Sequence, residues 1–204
     1  MIEQPLAFLA ATLALVLTPG PDQAYILGRT LSQGRTIGIF SVLGVCSGAM
    51  LYILAAALGF AVIIKTSKLA YNILLYAGGA YLLFLGISAL LSKEVFKPNG
   101  QVKNTSKGKA YIQGVLVNIL NPKSALFFLA FVPQFMDPLA PNHFLVFITL
   151  GAVVVGIAII WESFLVIFSH RLLSGFIRRP GVARFLNTFM GLIFIGLAIK
   201  LLFF

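Results

Sequence analysis

The stretch that decides the fold is Leu13-Ala14-Leu15-Val16-Leu17-Thr18-Pro19-Gly20-Pro21-Asp22, in which an apolar run is cut by two prolines, a glycine and a carboxylate. Proline has no backbone N–H and ends or kinks a helix. Threonine is a favoured N-cap and proline is favoured at the first helical position, so Thr18-Pro19 predicts the start of a second helical segment. Asp22 then falls in its first turn, where the positive end of the helix dipole stabilises a carboxylate.

A second apolar run, from Ala110 to Met136, is interrupted in the same way by Asn121-Pro122-Lys123. Asparagine followed by proline again predicts an N-cap and a first helical position. Thr18 is about 14 residues into its run and Asn121 about 12 into its own, so at roughly 1.5 Å per residue both breaks are expected near the middle of a bilayer.

The composition indicates an integral membrane protein. Of 204 residues, 60% are hydrophobic and 10% are charged, whereas an ordinary soluble domain is about 45–50% apolar and about 25% charged. The 19 phenylalanines exclude a disordered chain. One cysteine excludes an internal disulfide, and His143 and His170 lie at opposite ends of an apolar run, so we expect no metal site and no cofactor.

Six apolar runs are long enough to cross a bilayer, which takes about 20 residues in a helix. They are long and continuous, unlike the short alternating strands of a membrane barrel, so the predicted fold class is all-α. The predicted spans are Pro5–Leu27, Ile37–Ile64, Leu69–Leu91, Ala110–Met136, His143–Phe168 and Phe185–Phe204.

The positive charges predict the orientation of these spans. The net charge is +10, and eleven of the fifteen Lys and Arg residues follow spans one, three and five. Basic loops remain in the cytoplasm, so we expect both termini on the outer side. Because the basic residues lie between apolar runs, they indicate membrane orientation, and no nucleic-acid partner is expected.

The basic segment 92–109, with its turn signal Pro98-Asn99-Gly100, is predicted to be a cytoplasmic loop. It divides the single membrane domain 1–204 into halves at 1–91 and 110–204, each with three spans. Because three is odd, the second half enters the membrane from the opposite face. The sequence therefore predicts two inverted repeats with broken helices one and four, a plan typical of transporters that bind substrate at the breaks.

The residues at the two breaks suggest what would bind there. Broken helices free backbone N–H groups that lipid cannot satisfy, and a carboxylate can accept them. Asp22 and Lys123 supply one charge of each sign at the same depth. A zwitterion matches this pair, and an amino acid is the simplest one. We expect Asp22 to bind the ammonium group or to carry a coupling proton, and Lys123 to balance the charge.

A simpler interpretation is that both breaks are proline kinks and that Asp22 and Lys123 form a structural ion pair. The protein would then be a membrane-embedded structural or assembly protein without a transported substrate. Two breaks at matching positions, each with an adjacent charge, favour the transporter. A passive channel would need a continuous polar stripe along one helix, and no such stripe is found.

Glu162 is a third charge within the predicted spans, and two interpretations apply to it. It could carry a coupling proton, or it could lie at the membrane interface beside Trp161, a common interfacial residue. The neighbouring tryptophan favours the interfacial interpretation. In span two, Gly44-x-x-x-Gly48 predicts close helix packing within the chain or between two copies in a homodimer.

Motifs for enzymatic chemistry are absent from the sequence. It has no phosphate-binding P-loop and no G-x-S-x-G nucleophile turn. We therefore expect no enzyme and no ATP-driven pump, and the energy for transport would come from an ion or substrate gradient.

Together these motifs resemble the LysE/RhtB family of amino acid exporters, over almost the whole chain. The resemblance implies a multi-pass exporter of amino acids or close derivatives in the bacterial inner membrane, exchanging substrate for protons. It implies that Thr18, Pro19, Gly20, Pro21, Asp22, Asn118, Asn121, Pro122 and Lys123 contribute to substrate binding. The motifs that carry it are Thr18-Pro19-Gly20-Pro21-Asp22, Ala77-Gly78-Gly79-Ala80-Tyr81-Leu82, Asn118-Ile119-Leu120-Asn121-Pro122-Lys123, Phe127-Phe128 and Pro133-Gln134-Phe135.

Overall fold

Each apolar run of the sequence forms helix in the computed structural model, which describes residues 4–66, 68–91, 105–137, 140–175 and 180–203. In that part of the chain, both runs that carry a proline motif are divided. The α-helices are α1 Pro5–Leu17, α2 Pro21–Gln33, α3 Arg35–Thr66, α4 Lys68–Leu91, α5 Lys107–Ile119, α6 Pro122–Leu126, α7 His143–Gly175 and α8 Pro180–Phe203.

The first break lies between α1 and α2, which are bent by 47° relative to each other. Asp22 lies in the first turn of α2, as the sequence predicts. The caps, however, differ from the prediction: Gly20 is the N-cap of α2 and Pro21 takes its first position. Thr18 instead ends α1, where its hydroxyl donates to the carbonyl of Ala14 at 2.6 Å.

The later start of α2, at Pro21 in place of Pro19, has a steric cause. A residue that precedes proline is pushed towards extended backbone, and Gly20 precedes Pro21. Its dihedral angles are φ −157° and ψ −179°, which are extended. A helix that began at Pro19 would have to include Gly20, so the second helix begins only at Pro21.

The second break lies between α5 and α6, and here the predicted caps are confirmed. Asn121 is the N-cap, its side chain accepts from the backbone N–H of Lys123 at 3.0 Å, and Pro122 takes the first position. After α6 the chain continues as a π-helical turn, Phe127–Phe131, and a 3-10 turn, Val132–Phe135. The part before the break and the part after it are bent by 62°.

Two helices in the described part of the chain are long and apolar enough to cross a membrane, Arg35–Gly59 and His143–Ser169. The count rises to four if each bent pair is taken as one span. Large apolar side chains such as Leu58 (63% exposed), Leu91 (74%) and Phe185 (68%) lie on the outside of the helices, as lipid contact requires. The protein is a helical, multi-pass membrane protein.

Helix α3 lies at the centre, in contact with α2, α5 and α7. Its glycines permit close contact with α5: a Cβ atom on Gly44 would lie 2.1 Å from the carbonyl oxygen of Tyr111, and one on Gly48 would lie 2.8 Å from Cβ of Asn118. The small-residue face of span two therefore packs within the chain. Helices α4 and α8 form a second packed pair, in which Gly86 meets Gly191.

Polar contacts join α2 to α5. The hydroxyl of Tyr25 donates to the carbonyl of Ala110 at 2.6 Å, and Nη2 of Arg29 donates to Oε1 of Gln113 at 2.6 Å. The two divided runs are thus held side by side on one side of their breaks.

Most of the predicted basic loop, residues 92–104, lies outside the described residues, as do Arg178 and Arg179. The division into halves at 1–91 and 110–204, their inverted relation and the orientation stay predictions.

Candidate functional site

The two breaks, about one hundred residues apart in sequence, lie against each other in the structure, and Asp22 joins them. Its Oδ2 atom accepts from Nδ2 of Asn121 at 2.8 Å, from Nδ2 of Asn118 at 3.2 Å and from the hydroxyl of Ser124 at 3.4 Å. All three donors belong to the second broken run, two before its proline and one after it. The carboxylate of Asp22 is thus stabilised by charge-assisted hydrogen bonds from the second broken run.

Lys123 makes the reciprocal contact. Its ammonium group donates to the carbonyls of Leu15 at 2.6 Å and Thr18 at 2.7 Å, at the carboxyl end of α1. The last carbonyls of a helix have no partner within the helix and carry the negative end of its dipole, so a cation is favoured there. Gln23 adds a donor from its side-chain amide to the carbonyl of Val16.

Asp22 and Lys123 therefore do not form the ion pair that the structural interpretation of the breaks requires. Among the described residues, Asp22 is bound by amides and a hydroxyl, and Lys123 is bound by backbone carbonyls. Each charge stabilises the break in the other run. The carboxyl end of α5 is completed in a similar way, because the hydroxyl of Tyr52 on α3 donates to the carbonyl of Ile119.

A cavity of about 60 Å³ lies between the breaks and the central helices α3 and α7. Six residues predicted from the sequence line it: Thr18, Gly20, Asp22, Asn118, Asn121 and Lys123. Of the predicted prolines whose side chains the structure describes, Pro19 and Pro21 do not line the cavity. Their contribution is to interrupt the backbone so that the polar residues can face inwards.

Glu162 also lines this cavity, which corrects the interfacial interpretation favoured by the sequence. Its side chain is 6% exposed and comes from α7, and the sulfur of Cys46 on α3 lies 3.7 Å from its Oε2 atom. Helix α7 turns this carboxylate towards the centre of the protein. A second acidic group therefore faces the same cavity as Asp22.

Three polar lining residues were missed by the sequence analysis: Gln23, Ser124 and Cys46. Gln23 directly follows Asp22, and Ser124 directly follows Lys123. Their position in the first turn after each break could therefore have indicated that they lie at the site. Nothing in the neighbourhood of Cys46 in the sequence indicates its contact with Glu162.

Two acceptor atoms at the site have spare capacity. Within the described part of the chain, Oδ1 of Asp22 and Oδ1 of Asn118 are buried and accept no hydrogen bond. Buried polar atoms are nearly always partnered, so an exception calls for an explanation. Both atoms can accept from a cationic donor, while Lys123 provides positive charge nearby. The site thus has the chemistry to hold one group of each sign.

Comparison with known proteins places the chain in a family. The family model of the LysE type translocators matches residues 13–203. Among the similar proteins, an uncharacterized membrane protein of Bacillus subtilis (strain 168) is 28% identical over 96% of both chains. A leucine efflux protein of Salmonella typhimurium is 28% identical over 95% of this chain and 92% of its own. No solved structure matches.

The family model spans both breaks, and the resemblance drawn from the motifs is confirmed. With the family model covering all but the first twelve residues and the last one, this chain belongs to the LysE type translocators.

Proposed function

We propose that this protein exports amino acids or their derivatives across the bacterial inner membrane, and that the substrate binds in the cavity between the two breaks. The proposal is supported by membership of a translocator family and by relatives named leucine efflux protein. The observation that carries it is the arrangement of Asp22, Asn118, Asn121 and Lys123 around the cavity between the two breaks.

The chemistry of the site suits a zwitterion. The substrate ammonium group would bind near Asp22 and Asn118, whose Oδ1 atoms accept no hydrogen bond from the described residues. The substrate carboxylate would bind near Lys123 and the first-turn amides of α2, because helix N-termini favour anions. Asn121 lies between the two positions and orients Asp22.

The size of the cavity implies that transport requires movement. A water molecule needs roughly 10–15 Å³ of such space, so about 60 Å³ is room for a few waters and too little for a whole aliphatic amino acid. We propose that this conformation is closed around the site. Binding would require the broken segments to move away from α3 and α7, with the cavity opening to one side of the membrane at a time.

We further propose six spans in two inverted halves. Helices α4 and α8 have 24 residues each, and at roughly 1.5 Å per residue this exceeds the ~30 Å of the hydrocarbon core. Each would be a span, in addition to α3, α7 and the two bent pairs. The basic loops would then lie in the cytoplasm and both termini outside.

Coupling to protons is the fourth part of the proposal. Among the residues that the structure describes, the cavity is lined by two acidic side chains, Asp22 and Glu162, and one basic side chain, Lys123. Because Asp22 and Lys123 would bind the zwitterion, Glu162 would take up a proton from one side of the membrane and release it on the other side. Inward proton movement would then provide the energy for substrate export.

The test is a growth and release experiment. Cells that overproduce the protein are supplied with dipeptides as a source of excess amino acid, and amino acid release is measured. We expect tolerance of some peptides and release of the corresponding amino acid. Asp22→Asn, which removes the charge but keeps the shape, should abolish release while the protein remains in the membrane.

The matched control is Asn142→Asp, which makes the reverse change at an exposed position before α7; it should release amino acid like the original protein. Normal release from Asp22→Asn would exclude the role assigned to Asp22. Absence of release of every amino acid tested, with protein present in the membrane, would exclude amino acid export.

A further inference from the structure

The cavity has two walls of different chemistry. The broken segments contribute its polar wall, and α3 and α7 contribute an apolar wall that includes Val45, Ala49, Val155 and Ala158. An amino acid bound by its charged groups to the polar wall would direct its side chain towards the apolar wall. This second wall therefore bears on which amino acids can be carried.

Contacts between α3 and α7 fix how the apolar wall is arranged. Cys46 on α3 lies beside Glu162 on α7, and Ile53 on α3 lies against Gly151 on α7, where an added Cβ would come within 2.7 Å of the isoleucine side chain. The two helices are thus antiparallel, because residue numbers rise along one as they fall along the other.

Ala49 and Ala158 lie between these two contacts. Ala49 is one helical turn beyond Cys46, and Ala158 is one turn before Glu162, so both lie at about the same level of the cavity. The contact of Ile53 with Gly151 closes the wall further along. At this level the apolar wall therefore presents two methyl side chains, alongside the valines Val45 and Val155 that also line the cavity and the bulkier contact of Ile53 with Gly151.

The charges on this wall argue against a cationic substrate side chain. Glu162 is the acidic side chain among the described lining residues of α3 and α7, and the proposed function assigns it to proton transfer. A lysine or arginine side chain would need a further anion there, because a charge buried without a partner is strongly disfavoured. An uncharged aliphatic side chain needs no such partner.

We propose that Ala49 and Ala158 form the contact surface for the substrate side chain, so that the exported amino acids are neutral and aliphatic and the size of these two residues limits the side chain. This inference rests on the proposed function. A larger residue at either position would fill the space of the substrate side chain. One methylene in such a pocket changes selectivity by roughly 10–200-fold.

The test uses the full-length protein reconstituted in lipid vesicles loaded in turn with alanine, leucine and lysine, and compares their efflux rates. We expect the original protein to carry leucine much faster than lysine. Ala158→Leu and Ala49→Leu should lower the ratio of leucine to alanine efflux at least about tenfold. Ala152→Leu on α7 and Ala55→Leu on α3, whose alanines are exposed and do not line the cavity, should leave the ratio unchanged.

Ala158→Val and Ala49→Val are milder substitutions, which serve as the test if a leucine variant fails to insert into the membrane. They should also lower the ratio of leucine to alanine efflux. An unchanged ratio in these variants would overturn the assignment, as would lysine efflux as fast as that of leucine. Efflux of none of the three amino acids by the original protein would contradict the proposed function itself. If the variants at Ala49 and Ala158 carry amino acids with an unaltered ratio of leucine to alanine efflux, only the assignment of these two residues would be contradicted.

Discussion

Nδ2 of Asn121 donates to Oδ2 of Asp22 at 2.8 Å, and this bond joins the two broken runs of the chain. The same asparagine accepts from the backbone N–H of Lys123 through Oδ1. Its side chain thus caps α6 and holds the carboxylate that begins α2. A single residue couples the geometry of one break to the charge of the other, so the two breaks form one site.

Loss of the Lys123 ammonium group should destabilise the protein. Lys123→Met keeps the length of the side chain but leaves the carbonyls of Leu15 and Thr18 without their donor. A buried acceptor without a partner costs about 1–3 kcal/mol. Thermal unfolding in detergent should show this loss, whereas Lys109→Met, at an exposed position in α5, should have little effect. Equal stability of the two variants would contradict the contacts of Lys123.

Exchange of the two charges should not be tolerated. Asp22 is surrounded by donors and Lys123 by acceptors, so the double variant Asp22→Lys, Lys123→Asp would place a cation among amide donors and a carboxylate against carbonyls. We expect little protein in the membrane and no amino acid efflux. Full activity of the double variant would instead support a structural ion pair between these residues.

Gly48 should tolerate no side chain. In Gly48→Ala the new methyl group would press on Cβ of Asn118 and on the carbonyl of Val115, at 2.8 Å and 2.9 Å. Overpacking of this kind costs about 1–3 kcal/mol, and it would also move a donor to Asp22. We expect lower stability and lower substrate affinity in a thermal-shift titration.

Gly59→Ala provides the matched control on the same helix, because a Cβ atom there meets nothing within 4 Å. Its stability should be unchanged or slightly higher, since alanine favours helix over glycine. Similar destabilisation by both substitutions would show that the effect at Gly48 comes from the helix and not from the contact with α5.

Glu162→Gln tests the coupling of transport to protons. The glutamine keeps the size of the side chain but cannot take up and release a proton. In vesicles, efflux driven by an imposed pH gradient should be lost, while exchange of labelled for unlabelled substrate continues. Glu162→Asp, which retains the carboxyl group, should keep part of the pH-driven efflux. Undiminished pH-driven efflux from Glu162→Gln would remove Glu162 from the coupling mechanism.

Much of the site could be predicted from the sequence, because its signals are local. Proline after threonine or asparagine in an apolar run marks a break wherever it occurs, and Asn121 caps its helix as predicted. The wrong cap prediction at Thr18 also has a local cause. Because Pro21 makes Gly20 extended, α2 begins at Pro21, two residues later than the predicted start at Pro19. The proximity of the two breaks was an inference from their matching depths, and their contact supports it.

The sequence by itself determined that the chain is helical, that it lies in a membrane, and that two of its runs are broken beside charged residues. These properties follow from composition and from backbone chemistry within a few residues. The tertiary structure alone decided that Lys123 binds the end of α1 rather than Asp22, and that Glu162 and Cys46 face the cavity. In a helix that is apolar on all sides, the pattern of residues does not tell which side faces lipid and which faces protein. That choice depends on how α3 and α7 rotate and pack against the broken segments.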